Sequence, residues 1–296
     1  MIIEKELSLM NDTSLVEDIF LTLPTVTNFH SPNSSLYLLL KKTARKELEN
    51  EFRDQDEVEK GFEPFGTLIF PYFDMGAVNS LNLFDLDELI IFSYYWINRR
   101  RYKRVLDIGA NIGLHSILLD KCGFDVRSYE PDPIHYERLQ KNLELNNCKH
   151  VKTFKAAVSS KTGEMEFTRV LGNTTGSHLS GSKKNAYGDL DKFPVRVEDI
   201  AKLIEWADLI KLDAEGHEKE ILLSTTKTQW QNTDAIVEIE NKDNAEAVFK
   251  HFNNLGINLF PQKINWGKAG GLDDLPNSYH EGSLFISSKD NMPWNA

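Results

Sequence analysis

Arg104-Val-Leu-Asp-Ile108 runs without a break into Gly109-Ala-Asn-Ile-Gly113, and Ile117, Leu118 and Leu119 follow in an amphipathic helical pattern. A short apolar strand, a glycine turn and a helix, in that order, make the first unit of a nucleoside-binding α/β sheet. Glycine at 109 and 113 lets the backbone take unusual dihedrals and lets a ligand approach closely. The helix start then offers N–H groups and positive potential to an anionic group. Strands are predicted over 104–108, 125–130, 150–155, 164–168, 208–212, 234–240 and 257–260, and helices over 112–121, 133–145, 199–205, 217–223 and 244–255. Their alternation predicts an α/β fold, a Rossmann-like doubly wound and mostly parallel sheet. Ser283-Leu-Phe-Ile-Ser287 reads as a closing edge strand.

Two nucleoside cofactors suit such a sheet, and the glycine spacing separates them. The dinucleotide fingerprint needs glycine where Asn111 and Leu114 stand. Asp107, at the strand's end, can instead accept hydrogen bonds from a cationic ligand's ammonium, directly or through water. Strand 125–130 ends in Glu130-Pro-Asp-Pro133, where the Glu130 carboxylate can accept both ribose hydroxyls. In Phe154-Lys-Ala-Ala-Val158 the small Ala156 and Ala157 leave room for adenine. This charge logic favours S-adenosylmethionine, with Asp107, Gly109, Asn111, Gly113, Glu130, Ala156 and Ala157 as candidate cofactor contacts.

The strand Asp208-Leu-Ile-Lys-Leu-Asp213 continues as Ala-Glu-Gly-His-Glu218. Alternation puts Lys211 and Asp213 on one face, with Asp213 at the carboxyl edge, where open α/β sheets bind ligands. Asp213, Glu215 and His217 are the candidates for taking a proton from an acceptor hydroxyl, and Lys211 stands beside them. A structural reading competes: Glu215 and Glu218 suit a helix N-terminus, and Lys211 can simply neutralise Asp213. Glu238 and Glu240 at the next strand end would extend the cluster towards a divalent cation, but no paired ligand string accompanies them and no metal is assigned.

Taken together, Asp107-Ile-Gly-Ala-Asn-Ile-Gly113, Glu130-Pro-Asp-Pro133, Ile210-Lys-Leu-Asp-Ala-Glu-Gly-His-Glu218 and Ile236-Val-Glu-Ile-Glu240 resemble the FkbM family of S-adenosylmethionine-dependent methyltransferases, over roughly residues 85–260. The most specific element is Lys-x-Asp-x-Glu-Gly-x-Glu, matched at Lys211, Asp213, Glu215, Gly216 and Glu218. The resemblance implies a class I methyltransferase sheet and methyl transfer to sugars, glycolipids, polyketide products or, in some members, peptides. O-methylation of a sugar hydroxyl or another small biosynthetic intermediate is the leading expectation. N-methylation of a peptide, and a non-catalytic protein that only binds S-adenosylmethionine, are the alternatives.

The rest of the chain frames that core. Its 296 residues suit one domain, placed at 85–296, preceded by an extension over 1–84 that is helical and then turns to short strands or loop. Residues 64–82 mix aromatics with Pro and Gly and could cover a cleft. Gly172-Asn-Thr-Thr-Gly-Ser-His-Leu-Ser-Gly-Ser182 is too long for a simple turn; it could fold over the acceptor, with Asn173, Ser177 and His178 supplying hydrogen bonds. Trp266-Gly-Lys-Ala-Gly-Gly271 reads as another mobile loop. Cys122 and Cys148 match no metal spacing and are expected to be reduced. The net charge of −11 argues against nucleic acid as a partner, and the basic run Arg99–Arg104 reads as a solvated helix end. No apolar run reaches the length of a membrane span, and the acidic start at Glu4 and Glu6 lacks the form of an export signal, so a cytoplasmic enzyme of small-molecule or glycan acceptors is expected.

Overall fold

The computed structural model describes residues 14–53, 56–181 and 189–294. The start read for an export signal and Ser182 of the long loop lie outside the described residues. Helices α1 (Leu15–Thr22) and α2 (Ser35–Phe52) open the chain, followed by a two-stranded ribbon of β1 (Lys60–Gly61) and β2 (Thr67–Leu68) and by α3 (Leu86–Ile97). Ser14 caps α1 by accepting the Glu17 N–H at 3.2 Å. Val16, Ile19, Phe20, Tyr37, Ala44 and Leu48 are buried in the same apolar cluster as Leu89, Phe92 and Val105, so the first helices pack on the sheet's own core.

Among the described residues the central sheet has seven strands. In chain order they are β3 (Arg104–Ile108), β4 (Asp125–Tyr129), β5 (Val151–Phe154), β10 (Leu209–Leu212), β11 (Asp234–Val237), β12 (Asn258–Pro261) and β13 (Leu284–Ser287). In space they run β12-β13-β11-β10-β3-β4-β5. All neighbours from β5 to β11 are parallel, while β13 is antiparallel to both β11 and β12. The chain winds outward from β3 to β5, then returns to β10 on β3's other side. The gap between β3 and β10 is therefore the topological switch point, where such sheets bind ligands. Helices α4 (Leu114–Lys121), α5 (Pro133–Leu145), α7 (Glu218–Leu223) and α8 (Lys242–Leu255) make the crossovers.

In the two sheets the structure corrects two expectations. Residues 284–287 do not form an edge strand: β13 lies between β11 and β12, with Leu284, Phe285, Ile286 and Ser287 all fully buried. An uninterrupted apolar run signals burial on both faces, which an edge does not provide. The stretch after β5 is also more than one strand and a helix. Strands β6 (Ala157–Ser159), β7 (Gly163–Val170), β8 (His178–Leu179) and β9 (Leu190–Asp199) build a second sheet in the order β6-β9-β7-β8, and α6 (Ile200–Leu203) leads from it to β10. The period-two pattern Phe193, Val195, Val197 was the signal for β9, masked by Pro194.

The loop at 266–271 is anchored rather than loose. Trp266 is buried, its indole N–H donates to His30 Nδ1 at 2.9 Å, and its ring lies 5.9 Å from that of Trp294. At the basic run, Arg99 donates to the Trp96 carbonyl at the end of α3 and Arg104 pairs with Asp208 at 2.7 Å, in keeping with a helix end and a strand start. Both cysteines are free, and burial pushes both thiols up, Cys148 to about 12.

Candidate active site

Backbone bonds bring the strand ends into line. Gly109 and Ala110 N–H groups both donate to the Tyr129 carbonyl at 3.0 Å, Asp213 N–H to that of Ile108 at 3.1 Å, and Glu130 N–H to that of Phe154 at 3.1 Å. Over this edge opens a cleft. Gly109, Asn111, Glu130 and Asp132 line it from the β3 and β4 ends, Ala157 from β6, and Asp213, Glu215 and His217 from the β10 end. Phe167 of β7 and Thr174, Thr175, Ser177, His178 and Leu179 of the long loop close it from the second sheet. The structure thus brings that loop to the cleft; Ser177 and His178 face it, while Asn173 bridges to Gly76 outside it.

Each predicted cofactor residue has a specific place. Gly109 has φ +78°, and a Cβ there would lie 1.7 Å from the Asp213 carbonyl oxygen, so glycine lets β10's end pass against the turn. Gly113 has φ +94° and caps α4; its added Cβ would meet Leu139 Cδ1 of α5 at 2.5 Å. Both glycines thus serve close packing of the protein on itself. Asn111 takes a left-handed φ of 50°, and its N–H donates to Glu130 Oε2 at 2.8 Å. Glu130 Oε1 accepts the Asp132 N–H at 2.8 Å. Burial, with the nearby Asp132 charge, raises the Glu130 pKa to about 8 despite these two N–H donors. Ala157 faces the cleft, whereas Ala156 is packed into the core beside Tyr129 and Leu106.

Asp107 is fully buried behind the turn and accepts the Ser116 hydroxyl at 2.6 Å through Oδ2. Among the described residues, its Oδ1 and the Oδ1 of Asn111 are buried acceptors without a hydrogen-bond partner. Buried acceptors rarely stay unpaired; Asn111 lines the cleft, so a ligand rich in donors fits beside it, whereas Asp107 stands behind the lining.

The fourth-strand string divides into a buried half and a cleft half. Lys211 pairs in register with Asp107 and its Nζ sits 3.4 Å from both Asp213 Oδ2 and the Gly109 carbonyl. It is buried behind the cleft rather than lining it. Burial works against its charge, but Asp213, Asp107, Glu88 and Glu238 outweigh that and raise its pKa. Glu215 stands in the left-handed region at φ 51°, next to Gly216 at φ 94°, in a tight turn that swings Glu215 and His217 to the cleft. Glu218 braces that turn: its Oε1 accepts the N–H groups of Ala214 at 2.8 Å and Gly216 at 3.1 Å, and Asn244 donates to Oε2 at 3.3 Å. Burial and the nearby Glu240 push Glu218 up to about 8. His217 Nε2 lies 2.7 Å from the Ser159 hydroxyl of β6, and burial lowers its pKa, so its imidazole is neutral near pH 7.

Sequence reasoning missed the partners contributed by the second sheet. Arg169 of β7 grips Asp132 with two bonds, Nε to Oδ2 at 2.6 Å and Nη2 to Oδ1 at 2.7 Å, while Asp132 also caps α5 by accepting the Ile134 N–H. His135, one turn into α5, contacts the Thr174 hydroxyl at 2.9 Å. Asp132 was readable as a helix cap before Pro133; Arg169 and His135 carried no local signal.

The methyltransferase FkbM domain model matches residues 107–261, just over half the chain, and spans the glycine turn, the cleft and the fourth-strand string. The chain belongs to the FkbM methyltransferase family. The family is one of methyltransferases whose methyl donor is S-adenosylmethionine. The Asn111 acceptor, with no partner among the described residues, and the neighbouring Glu130 carboxyl both line the cleft and fit that donor's ammonium and hydroxyl groups. Methyltransferase sdnD of Sordaria araneosa is 26% identical over 160 residues, covering 43% of this chain and 62% of that protein. Hexuronic acid methyltransferase AglP of Haloferax volcanii is 24% identical over 161 residues, covering 54% of this chain and 65% of that protein. The chain spans under two thirds of the length of these curated relatives. Among solved structures, a precorrin-6y C5,15-methyltransferase from Geobacter metallireducens GS-15 aligns over 66% of this chain and 85% of its own, with 11% identity and a TM-score of 0.38. No described helix is long and apolar enough to cross a membrane.

Proposed function

We propose that this FkbM protein methylates a hydroxyl of a small, sugar-like acceptor, with residues 85–296 as the transferase and Asp213 as the group that takes the proton. The observation that carries this reading is the convergence, in one cleft, of Glu130 on the cofactor side with Asp213, Glu215 and His217 on the other. The hexuronic acid acceptor named for the Haloferax volcanii relative supports a sugar. When bound, S-adenosylmethionine supplies an electrophilic methyl group on a sulfonium. Glu130 holds the ribose, and Asp107 and Asn111 receive donors of the methionine moiety. Lys211, 3.4 Å from Asp213 Oδ2, fixes that carboxylate at the strand edge. Asp213 accepts the hydroxyl proton as the oxygen attacks, with Glu215 and the neutral His217 orienting the acceptor.

Calorimetry with S-adenosylhomocysteine, followed by an acceptor panel read by mass spectrometry and NMR of the product, tests this reading. Asp213→Asn is expected to lower kcat by about 100-fold or more while the S-adenosylhomocysteine Kd changes less than about threefold. Loss of turnover and of cofactor affinity in equal measure would remove Asp213 from the chemistry. A product methylated on nitrogen would replace hydroxyl transfer with peptide N-methylation, and binding without turnover of any acceptor would leave a non-catalytic S-adenosylmethionine binder.

A further inference from the structure

The loop that closes the cleft is held from outside the family-matched region. Residues 73–80 form a compact hairpin of their own: Ser80 N–H donates to the Phe73 carbonyl at 2.9 Å, Phe73 N–H to the Ser80 hydroxyl at 3.0 Å, and Gly76 N–H to Asp74 Oδ1 at 2.9 Å. Its tip docks on the cleft loop. Ala77 N–H donates to the Gly172 carbonyl at 2.8 Å, and Thr174 N–H to the Met75 carbonyl at 2.9 Å. The approach is so close that a Cβ on Gly76, at φ +96°, would lie 1.9 Å from the Gly172 oxygen.

From this joint a short relay leads to the cofactor side. The Thr174 hydroxyl lies 3.3 Å from the Met75 carbonyl and 2.9 Å from His135 Nε2. A carbonyl only accepts, so Thr174 donates to Met75 and accepts from His135, which requires the Nε2–H tautomer. Burial lowers the His135 pKa, in keeping with a neutral ring. His135 lies one turn beyond Asp132, whose N–H is held by Glu130 Oε1. The hairpin, Thr174, His135 and the ribose-side carboxylate therefore form one contiguous chain of contacts.

We propose that Gly76 and Thr174 are positioning residues, through which segment 73–80 clamps the loop 172–179 over the nucleoside end of the cofactor cleft. The proposal rests on the reading of Glu130 as the ribose partner. The clamp works by geometry: backbone contact at Gly76 sets the height of the loop, and the Thr174 hydroxyl fixes it laterally against α5. Larger residues at 76 lift the loop and leave the nucleoside end open to water.

The test is the calorimetric Kd for S-adenosylhomocysteine, with thermal midpoints measured in parallel. Gly76→Ala and Thr174→Val are expected to raise Kd by about five- to tenfold, the scale of one or two lost hydrogen bonds. Thr174→Ser keeps the hydroxyl and is expected to bind within about twofold of wild type, since the relay survives. Gly123→Ala, at φ +83° with nothing within 4 Å of its Cβ, carries the same backbone strain away from the cleft and is the control. Wild-type affinity in both Gly76→Ala and Thr174→Val overturns the clamp, as does equal weakening in Gly123→Ala. If Gly76→Ala does not fold, the Thr174→Val and Thr174→Ser pair decides. Retained wild-type affinity in Glu130→Ala removes the ribose reading, whereas affinity lost there but kept in the clamp variants removes the clamp alone.

Discussion

Glu130 is set before any ligand arrives, because its two oxygens already accept the N–H groups of Asn111 and Asp132. Each oxygen keeps a second lone pair for a ribose hydroxyl. Its pKa of about 8 has a consequence for binding. Ribose hydroxyls donate better to a carboxylate than to a carboxylic acid, so affinity rises as Glu130 loses its proton. The Kd for S-adenosylhomocysteine is expected to fall between pH 7 and 8.5, by at most about tenfold per pH unit below the pKa, and to level off above it. Glu130→Gln should bind more weakly and show a flatter profile; calorimetry across that range checks both. Asp107 differs: it stands behind the turn, where the Ser116 hydroxyl satisfies one oxygen and the other has no partner among the described residues.

At the scale of elements, the turn between β10 and α7 depends on one side chain. Glu215 at φ 51° is in a region unfavourable for a residue with a Cβ, and Glu218 compensates by binding the N–H groups of Ala214 and Gly216. Glu218→Ala would leave two largely enclosed donors unpaired and is expected to cost about 2–4 kcal/mol in denaturant unfolding. Glu218→Gln retains an acceptor oxygen and should cost less than half as much. The Glu218 carboxyl therefore acts on the cleft through the turn that carries Glu215 and His217.

Across the whole molecule, the N-terminal segment is joined to the C-terminal loop through His30. Its Nε2 bonds the Leu23 carbonyl at 2.9 Å, its Nδ1 accepts the Trp266 indole N–H at 2.9 Å, and Gln262 donates to its carbonyl at 3.0 Å. Protonating Nδ1 breaks the Trp266 contact, and burial lowers the His30 pKa from 6.5 to about 4. The sign follows from the unfolded chain binding the proton first: stability is full above about pH 6.5 and is lost as the pH falls towards 4, by at most about 1.4 kcal/mol per pH unit. His30→Phe should be less stable at pH 7 but lack this contribution. Unfolding free energies of both proteins at pH 7, 6 and 5 are expected to converge as the pH falls, and parallel curves would dissociate His30 from the acid response.

The sequence alone determined the parallel sheet, because β3, β4, β10 and β11 are each a short strand pattern followed by a helix with its own periodicity, and both signals are local. It also pointed to the family, since the glycine turn and the Lys211–Glu218 string are each an unbroken run of the chain. Three things waited for tertiary structure. The position of β13 inside the sheet depends on which strand covers which, and apolar residues alone do not say. The second sheet, with Arg169 and Phe167, reaches the cleft only because β7 and β9 fold back over it. The division of the acidic string, with Lys211 and Glu218 in supporting positions and Asp213 and Glu215 at the cleft, follows from a left-handed turn at Glu215 that no local preference encodes. A local pattern specifies an element; the long-range approach of elements decides which of its side chains meet the ligand.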